Sequence, residues 1–192
     1  MSGGRMVECL TLSRRIDATA AQKRLQRLGA NACEPAWVRL WAAGLGVADG
    51  EPGAWLLSAQ DMRRALLLVG AELPVQKEEP SAGVKIDSGS PPTPKALDRL
   101  WLWERIATPR HWRIQMLDST PVPIWLPCWL GYARGRQLRL TVLSGLSGET
   151  LPMLKPIVLK GLQQAYRNGH ESATKNSRTK NSGTKARREK AV

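Results

Sequence analysis

The chain has 192 residues, of which 29 are Lys or Arg and 16 are Asp or Glu, so its formal net charge is +13. A surplus of this size favours polyanionic partners (nucleic acid, anionic lipid or acidic protein) without choosing among them. The three cysteines, Cys9, Cys33 and Cys128, are far apart in sequence, which argues against a disulfide framework and against a zinc knuckle. They fit buried thiols in a reducing compartment, and we expect a cytoplasmic protein.

No stretch of the sequence has the character of a membrane span. The longest uncharged run, 119–133, is too short and is interrupted by three prolines. The first fifteen residues lack the continuous apolar run of a secretory signal. Their Arg and Ser content would fit an organelle-targeting segment, but Glu8 and Asp17 argue against it. We therefore expect no stable membrane insertion.

Residues 1–73 are predicted to form a mainly helical lobe with one strand. The strand is Val7 to Ile16, where apolar residues alternate between two sides. A helix follows from Ala18 to Leu28, because Asp17 is a suitable N-cap and Gly29 a suitable stop.

Two more helices are predicted in this lobe. The first begins at Pro35, since Trp37, Leu40 and Trp41 fall at helical spacing. The second follows the near capping box at 58–61 and ends at about Val69.

Composition changes at 74–95, where five prolines occur with repeated Ser and Gly. This segment is predicted to be a linker. The part that follows, 96–166, is predicted as a helix, an antiparallel three-stranded meander and a final helix. Thr93 would cap the first of these helices, which runs from Pro94 to about Ala107. The three predicted strands are 111–117, 122–132 (as an irregular edge strand, because of its prolines) and 138–143, and the final helix is 156–166.

The last segment, 167–192, carries eight Lys or Arg against two acids and no aliphatic residue larger than Ala before Val192. Such a segment buries too little apolar surface to offset its ordering entropy, so it is predicted to be a disordered basic tail. The predicted fold class is therefore α+β: short helices plus a small antiparallel β-meander in the C-terminal half, followed by this tail.

The sequence offers little for catalysis. It has two histidines, and one of them, His170, lies in the predicted tail. The other, His111, precedes Asp118 and Ser119 on a predicted strand and turn, where the three side chains have no reason to converge. Phosphate-binding glycine motifs are missing from the sequence as well. We predict no catalytic residue, no metal site and no cofactor, and thus a protein that is not an enzyme.

Nucleic-acid binding, to DNA or RNA, mainly by charge and with little sequence specificity, is the predicted function. Lys and Arg side chains gain affinity by releasing counterions from phosphates, and aromatic faces add stacking that tolerates any sequence. The first helix offers one cationic face, with Lys23, Arg24 and Arg27. The predicted contacts are Arg113, Arg134, Arg136 and Arg139 on the polar side of the meander, and Lys175, Lys180, Lys185, Arg187 and Arg188 in the tail. Trp112, Trp125 and Trp129 would supply either stacking surfaces or core.

The alternative prediction is a protein–protein adaptor or assembly subunit that uses exposed tryptophans, with the tail serving solubility or electrostatic tethering. Its predicted partner-binding residues are Trp37, Trp41 and Trp103. Because Trp101 and Trp103 cannot share one face of a helix, at least one of them must point away from the core.

Overall fold

A computed structural model of the chain describes residues 9–47, 50–80, 82–108, 113–117, 120–135 and 139–167. In chain order they form strand β1 (Leu10–Leu12), helix α1 (Ala18–Arg27), strands β2 (Ala32–Gly46), β3 (Ala54–Ser58), β4 (Leu66–Val69), β5 (Val75–Gln76) and β6 (Val84–Ile86), helix α2 (Pro94–Ala107), strands β7 (Gln115–Met116), β8 (Val122–Ala133) and β9 (Arg139–Ser144), a 3-10 turn (Pro152–Leu154) and helix α3 (155–167).

The nine strands of the described ranges belong to one mixed sheet. Its main path runs β4-β3-β2-β8-β1-β5, while β6 and β7 pair with β2 and β9 pairs with β8. The centre is the antiparallel pair β2–β8, in register from Ala32–Tyr132 to Ala42–Val122. The β1–β8 and β2–β6 pairs are parallel. Strands from the front and rear of the chain therefore lie side by side in the same sheet.

The two central strands alternate in chemical character from one residue to the next. In the middle of the pair, the even-numbered residues are small or aliphatic and buried: Ala36, Val38, Leu40 and Ala42 on β2, and Ile124, Leu126, Cys128 and Leu130 on β8. Because neighbouring residues of a strand point to opposite faces, these side chains form one apolar face. Helix α3 covers it through Ile157 and Val158. Each fully buried Leu or Ile here contributes about 1.5–3 kcal/mol to stability.

Helices α1 and α2 cover the opposite face at its two ends. Leu25 of α1 packs against Trp129 and Leu143, and Gly131 allows this approach because a Cβ there would lie 2.7 Å from a Leu25 methyl. Helix α2 packs its buried side against the far end of β2 and against β3, in a cluster made of Leu97, Leu100, Trp101, Ala43, Leu45 and Leu56. Between the two helices the sheet face is covered by no described helix.

The α+β class is confirmed, but the small meander is wrong. Predicted strand 138–143 does pair with its predecessor, as β9 with β8. The strand predicted at 111–117 is described only as β7, and β7 pairs with β2 of the front half. The sheet is therefore large and mixed, because a long front strand, β2, lies between elements that the meander would have joined directly.

Two of the three helices predicted in the front half are wrong. The residues from Pro35 form β2, and the end of the third predicted helix is strand β4. The spacing of Trp37 and Trp41 suits one turn of a helix, but it equally suits one face of a strand, where residues i and i+4 also share a side. Pairing with β8 decides the conformation, and the prediction of a mainly helical front half fails with it.

The prediction that 122–132 forms an edge strand is also wrong, since β8 has neighbours on both sides. The amide of Gly145 donates to the carbonyl of Pro127 at 2.8 Å, so the backbone polar groups of residue 127 face the β9 side. Pro127, which has no N–H, therefore interrupts only that ladder and leaves the pairing with β2 intact.

The locally encoded helices are confirmed. Asp17 Oδ1 accepts a hydrogen bond from the Ala20 amide at 2.8 Å, and Thr93 Oγ1 caps α2 in the same way. Leu28, the last residue of the predicted helix, lies just beyond the end of α1 and is 52% exposed. The final predicted helix corresponds to α3.

The division of the chain into two lobes stays a prediction. The sheet contains strands from both of the predicted lobes, since β2 pairs with β8. The segment 74–95, predicted as a linker, contributes the short strands β5 and β6 to that sheet. The predicted tail lies outside the described residues beyond its first residue, Arg167.

Candidate functional site

The sheet face between α1 and α2 carries tryptophan, proline and arginine on its central strands. The odd-numbered residues of β2 lie opposite odd-numbered residues of β8, in the pairs Pro35–Trp129, Trp37–Pro127, Arg39–Trp125 and Trp41–Pro123. We call these eight residues the Trp–Arg face. Trp37 and Trp129 are buried, whereas Arg39, Trp41 and Trp125 are half-buried and reach the surface.

Arg14, which follows β1, crosses this face between two indole rings. Its guanidinium carbon lies 4.7 Å from the ring centre of Trp37 and 4.5 Å from that of Trp129. The guanidinium also donates to the carbonyls of Ala36 and Cys128, at 3.2 and 3.3 Å. Burial lowers the pKa of Arg14 from its usual range. Both rings and both carbonyls are committed within the protein, so this half of the face is structural.

The other half of the face is held by an ion pair and a short loop. Arg39 contacts Asp87 at 3.0 Å and lies 5.3 Å from the ring centre of Trp41. Trp41 Nε1 donates to the carbonyl of Gly89 at 3.3 Å, and Asp87 accepts from the Gly89 amide. The loop after β6 thus fixes the Trp41 ring while leaving part of it exposed.

An open groove of about 940 Å³ adjoins this half of the face. We call it the proline groove. Its lining consists of Arg39, Trp41, Pro91, Pro92, Pro94, Leu97, Asp98, Met116, Leu117, Thr120, Pro121 and Pro123. Its volume lies in the range of small-molecule and peptide sites. The surface it presents is mostly apolar, and the charged side chains in it are Arg39 and Asp98.

A group of cations lies at the opposite end of the sheet. The side-chain oxygen of Asn31, in the turn after α1, accepts a hydrogen bond from the backbone amide of Arg134 at 3.1 Å. The backbone amide of Asn31 donates to the backbone carbonyl of Tyr132. These two bonds hold the end of α1, which carries Arg27, against the end of β8. Arg139, the first residue of the next strand, β9, pairs with Ala133, the last residue of β8. We call Arg27, Arg134 and Arg139 the basic end. All three are exposed, and no described acid forms an ion pair with them.

The acid nearest to this end in the sheet, Glu34, points to the other face. Its carboxylate accepts a short hydrogen bond from the Tyr132 hydroxyl. Burial, together with this hydrogen bond, raises the pKa of Tyr132 well above its usual range. Glu34 is thus engaged by Tyr132 on the α3 side, whereas Arg27 of α1 and Arg139, which pairs with Ala133, lie on the α1 side.

Helix α2 presents a second apolar side to the surface. Leu102, Trp103 and Ile106 are 53%, 60% and 54% exposed, and they lie within one turn of each other on the side away from the core. We call them the α2 stripe. Trp101 is buried on the inner side, so the prediction that one of Trp101 and Trp103 faces away from the core is confirmed.

The predicted nucleic-acid contacts do not all come together. Arg134 and Arg139 are neighbours at the basic end, whereas Arg113 precedes β7, which pairs with the last residues of β2. Residues 32 and 46 of β2 are separated by roughly 45 Å at about 3.3 Å per residue. Arg113 is exposed, but it lies at the far end of the sheet. Arg136 and the tail residues Lys175, Lys180, Lys185, Arg187 and Arg188 lie outside the described residues, as does Trp112.

The three predicted partner-binding tryptophans have different surroundings. Trp37 is buried and donates Nε1 to the carbonyl of Ala82, Trp41 lines the proline groove, and Trp103 is on the α2 stripe. The roles of Arg14 and Arg39 were not predicted. The signal that could have identified them is the alternation of Pro35, Trp37, Arg39 and Trp41 with small aliphatic residues, repeated in 123–129.

Comparison with family models, with curated proteins and with solved structures gives no match to this chain. No helix in the described ranges combines the length and apolar character needed to cross a bilayer. The described residues also contain no group of three or more Cys, His, Asp or Glu side chains placed to hold a metal ion. His111 lies outside those ranges.

Proposed function

We propose that this protein binds nucleic acid, mainly through charge and without catalysing a reaction. The observation that carries the proposal is the basic end: Arg27, Arg134 and Arg139 are exposed at one end of the sheet without an ion pair to a described acid. An unneutralised group of guanidinium groups gains free energy by releasing counterions from phosphates.

The fold supports this proposal by fixing the group in place. Arg139 pairs with Ala133 at the end of β8, Arg134 follows Ala133 and donates its amide to Asn31, and Arg27 is in the last turn of α1, where a cation is favoured by the helix dipole. The net charge of +13 adds long-range attraction to any polyanion. The tail cations Lys175, Lys180, Lys185, Arg187 and Arg188 belong to the proposal as further phosphate contacts.

Charge reversal at the basic end tests the proposal. We expect the full chain with Arg134→Glu and Arg139→Glu to bind a fluorescent 20-nucleotide single strand, and the matching duplex, on the order of tenfold more weakly at 0.1 M salt. The matched control is Arg63→Glu with Arg64→Glu, which makes the same charge change at two exposed positions elsewhere. Equal losses in the two variants would show that net charge alone drives binding and would remove the basic end from the site.

A second candidate function, docking of a protein partner, is favoured by the α2 stripe. A row of three large apolar side chains, each more than half exposed, is more than a scattered surface residue and marks an interaction surface. Its Trp103 is the residue type most enriched in interface hot spots. Under this proposal the protein acts as an adaptor or assembly subunit, and the tail contributes solubility or electrostatic tethering.

Salt separates the two candidates. Binding through the basic end should weaken steeply between 0.05 and 0.5 M salt, whereas an association through the α2 stripe should change little. Sedimentation of the full chain and of Trp103→Gln over that range shows whether the stripe causes association. If Trp103→Gln sediments like the wild type and gives the same binding isotherms, docking through the α2 stripe is rejected.

A further inference from the structure

We propose that the proline groove binds an extended peptide that combines apolar residues with one Arg or Lys. This inference deepens the second candidate function by naming the chemistry of the partner, and it is independent of nucleic-acid binding at the basic end. The groove is at the α2 end of the sheet and shares no residue with the basic end.

The charges of the groove select against a polyanion. The positive charge of Arg39 is matched by Asp87 at 3.0 Å. Asp98, exposed one turn into α2, lines the same groove and forms no ion pair with a described residue. Of the two charged side chains in the lining, Asp98 is thus the one without an ion pair among the described residues, so it favours a basic side chain over a phosphate.

The walls of the groove determine the form of the occupant. Five prolines line the groove, and none of them has a backbone N–H to offer: Pro91, Pro92, Pro94, Pro121 and Pro123. The indole N–H of Trp41 already donates to Gly89. A peptide that adds a strand needs backbone partners and would find few here. A polyproline II peptide keeps its backbone solvated and packs its side chains on aromatic and proline surfaces, so it fits these walls.

The test measures which charge the groove prefers. Two labelled decapeptides of alternating Pro and Leu, one with a central Arg and the other with a central Glu, are titrated with the full chain and followed by fluorescence anisotropy. We expect the Arg peptide to bind on the order of two- to fivefold more tightly than the Glu peptide, as for one exposed ion pair. Asp98→Lys should invert that preference, and the exposed control Glu78→Lys, which changes charge equally, should leave it as it is. Trp41→Leu, checked for folding by circular dichroism, should weaken both peptides.

Each other outcome overturns the inference in a distinct way. If neither the Arg peptide nor the Glu peptide binds at millimolar concentration, the groove is not a peptide site. Equal binding of both peptides, unaffected by Asp98→Lys, rejects the role of charge. Competition between the peptide and a single-stranded oligonucleotide would assign the groove to the nucleic-acid site instead. The oligonucleotide titration of the same variants is read separately, since failure of the groove leaves binding at the basic end unchanged.

Discussion

Arg14 should be among the most costly surface-accessible residues to replace. Its guanidinium contacts the rings of Trp37 and Trp129 and donates to the carbonyls of Ala36 and Cys128. Each ring contact is worth at least the roughly 0.5–1 kcal/mol of a solvent-exposed cation–π pair. Each of the two hydrogen bonds, which are long, contributes about 1 kcal/mol. We therefore expect Arg14→Ala to lower the free energy of unfolding by about 3 kcal/mol and the Tm by about 6–12 °C.

The measurement is urea unfolding followed by far-ultraviolet circular dichroism, which does not depend on the two tryptophans that the change disturbs. Arg14→Lys keeps the charge but cannot donate to both carbonyls while lying flat between the rings, so we expect a loss of about 2 kcal/mol. Arg15→Ala, at the exposed next position, is the control and should stay within about 0.5 kcal/mol of the wild type. If Arg14→Ala and Arg15→Ala are equally stable, the stacked guanidinium does not hold the face together and the reasoning is refuted.

Three further predictions concern the core and the two helices on this face. Burial raises the pKa of the Cys128 thiol to about 12 from its ordinary 9.0, so an unfolding chain releases a proton there at alkaline pH. The free energy of unfolding should then fall by up to about 1.4 kcal/mol per pH unit above pH 9, and urea titrations of Cys128→Ala should show a smaller slope. Gly131→Ala should cost about 1–3 kcal/mol in thermal melts because its new methyl collides with α1, whereas Gly53→Ala, with nothing within 4 Å, should cost little. Leu102→Gln should change stability by less than about 0.5 kcal/mol while Leu100→Ala costs about 2–5 kcal/mol, and a large loss in Leu102→Gln would mean that the α2 stripe is already covered.

The elements that could be predicted from the sequence are those whose signals are local. Helix α1 begins after the Asp17 cap and ends before Gly29, and α2 begins after Thr93 with Pro94 in its first turn. Each signal involves residues within one turn of the element that it delimits. No distant partner is needed to decide between conformations there.

Strand β2 could not be predicted from its own segment, because its conformation depends on pairing with β8, a distant segment of the chain. Trp37 and Trp41 are four residues apart, a spacing that fits both one turn of a helix and one face of a strand. The odd-numbered series with Arg39 between them would have favoured a strand, and β8 repeats the same alternation. Reading the two segments together would have predicted both the central pair and the Trp–Arg face.

The candidate sites also differ in whether their residues are close together in the sequence. Arg134 and Arg139 were predicted from their own segment and are neighbours, because they border one hairpin turn. Arg113 was grouped with them on the assumption that three successive strands pair in order, and the insertion of β2 separates it from them. The proline groove combines residues of β2, the loop after β6, α2 and β8, so no local pattern could have indicated it.

Binding of nucleic acid through the basic end should be visible in the salt dependence of oligonucleotide binding. The full chain is compared with two triple variants that lose the same charge: Arg27→Ala, Arg134→Ala and Arg139→Ala in one, and Arg63→Ala, Arg64→Ala and Lys155→Ala in the other. Each lost phosphate contact with a single strand should reduce the slope of log Kd against log salt concentration by about 0.7. We predict a reduction of about 2 for the basic-end variant and almost none for the control. Equal slopes in the two variants, or a wild type whose binding does not depend on salt, would show that the basic end does not bind nucleic acid through its charges.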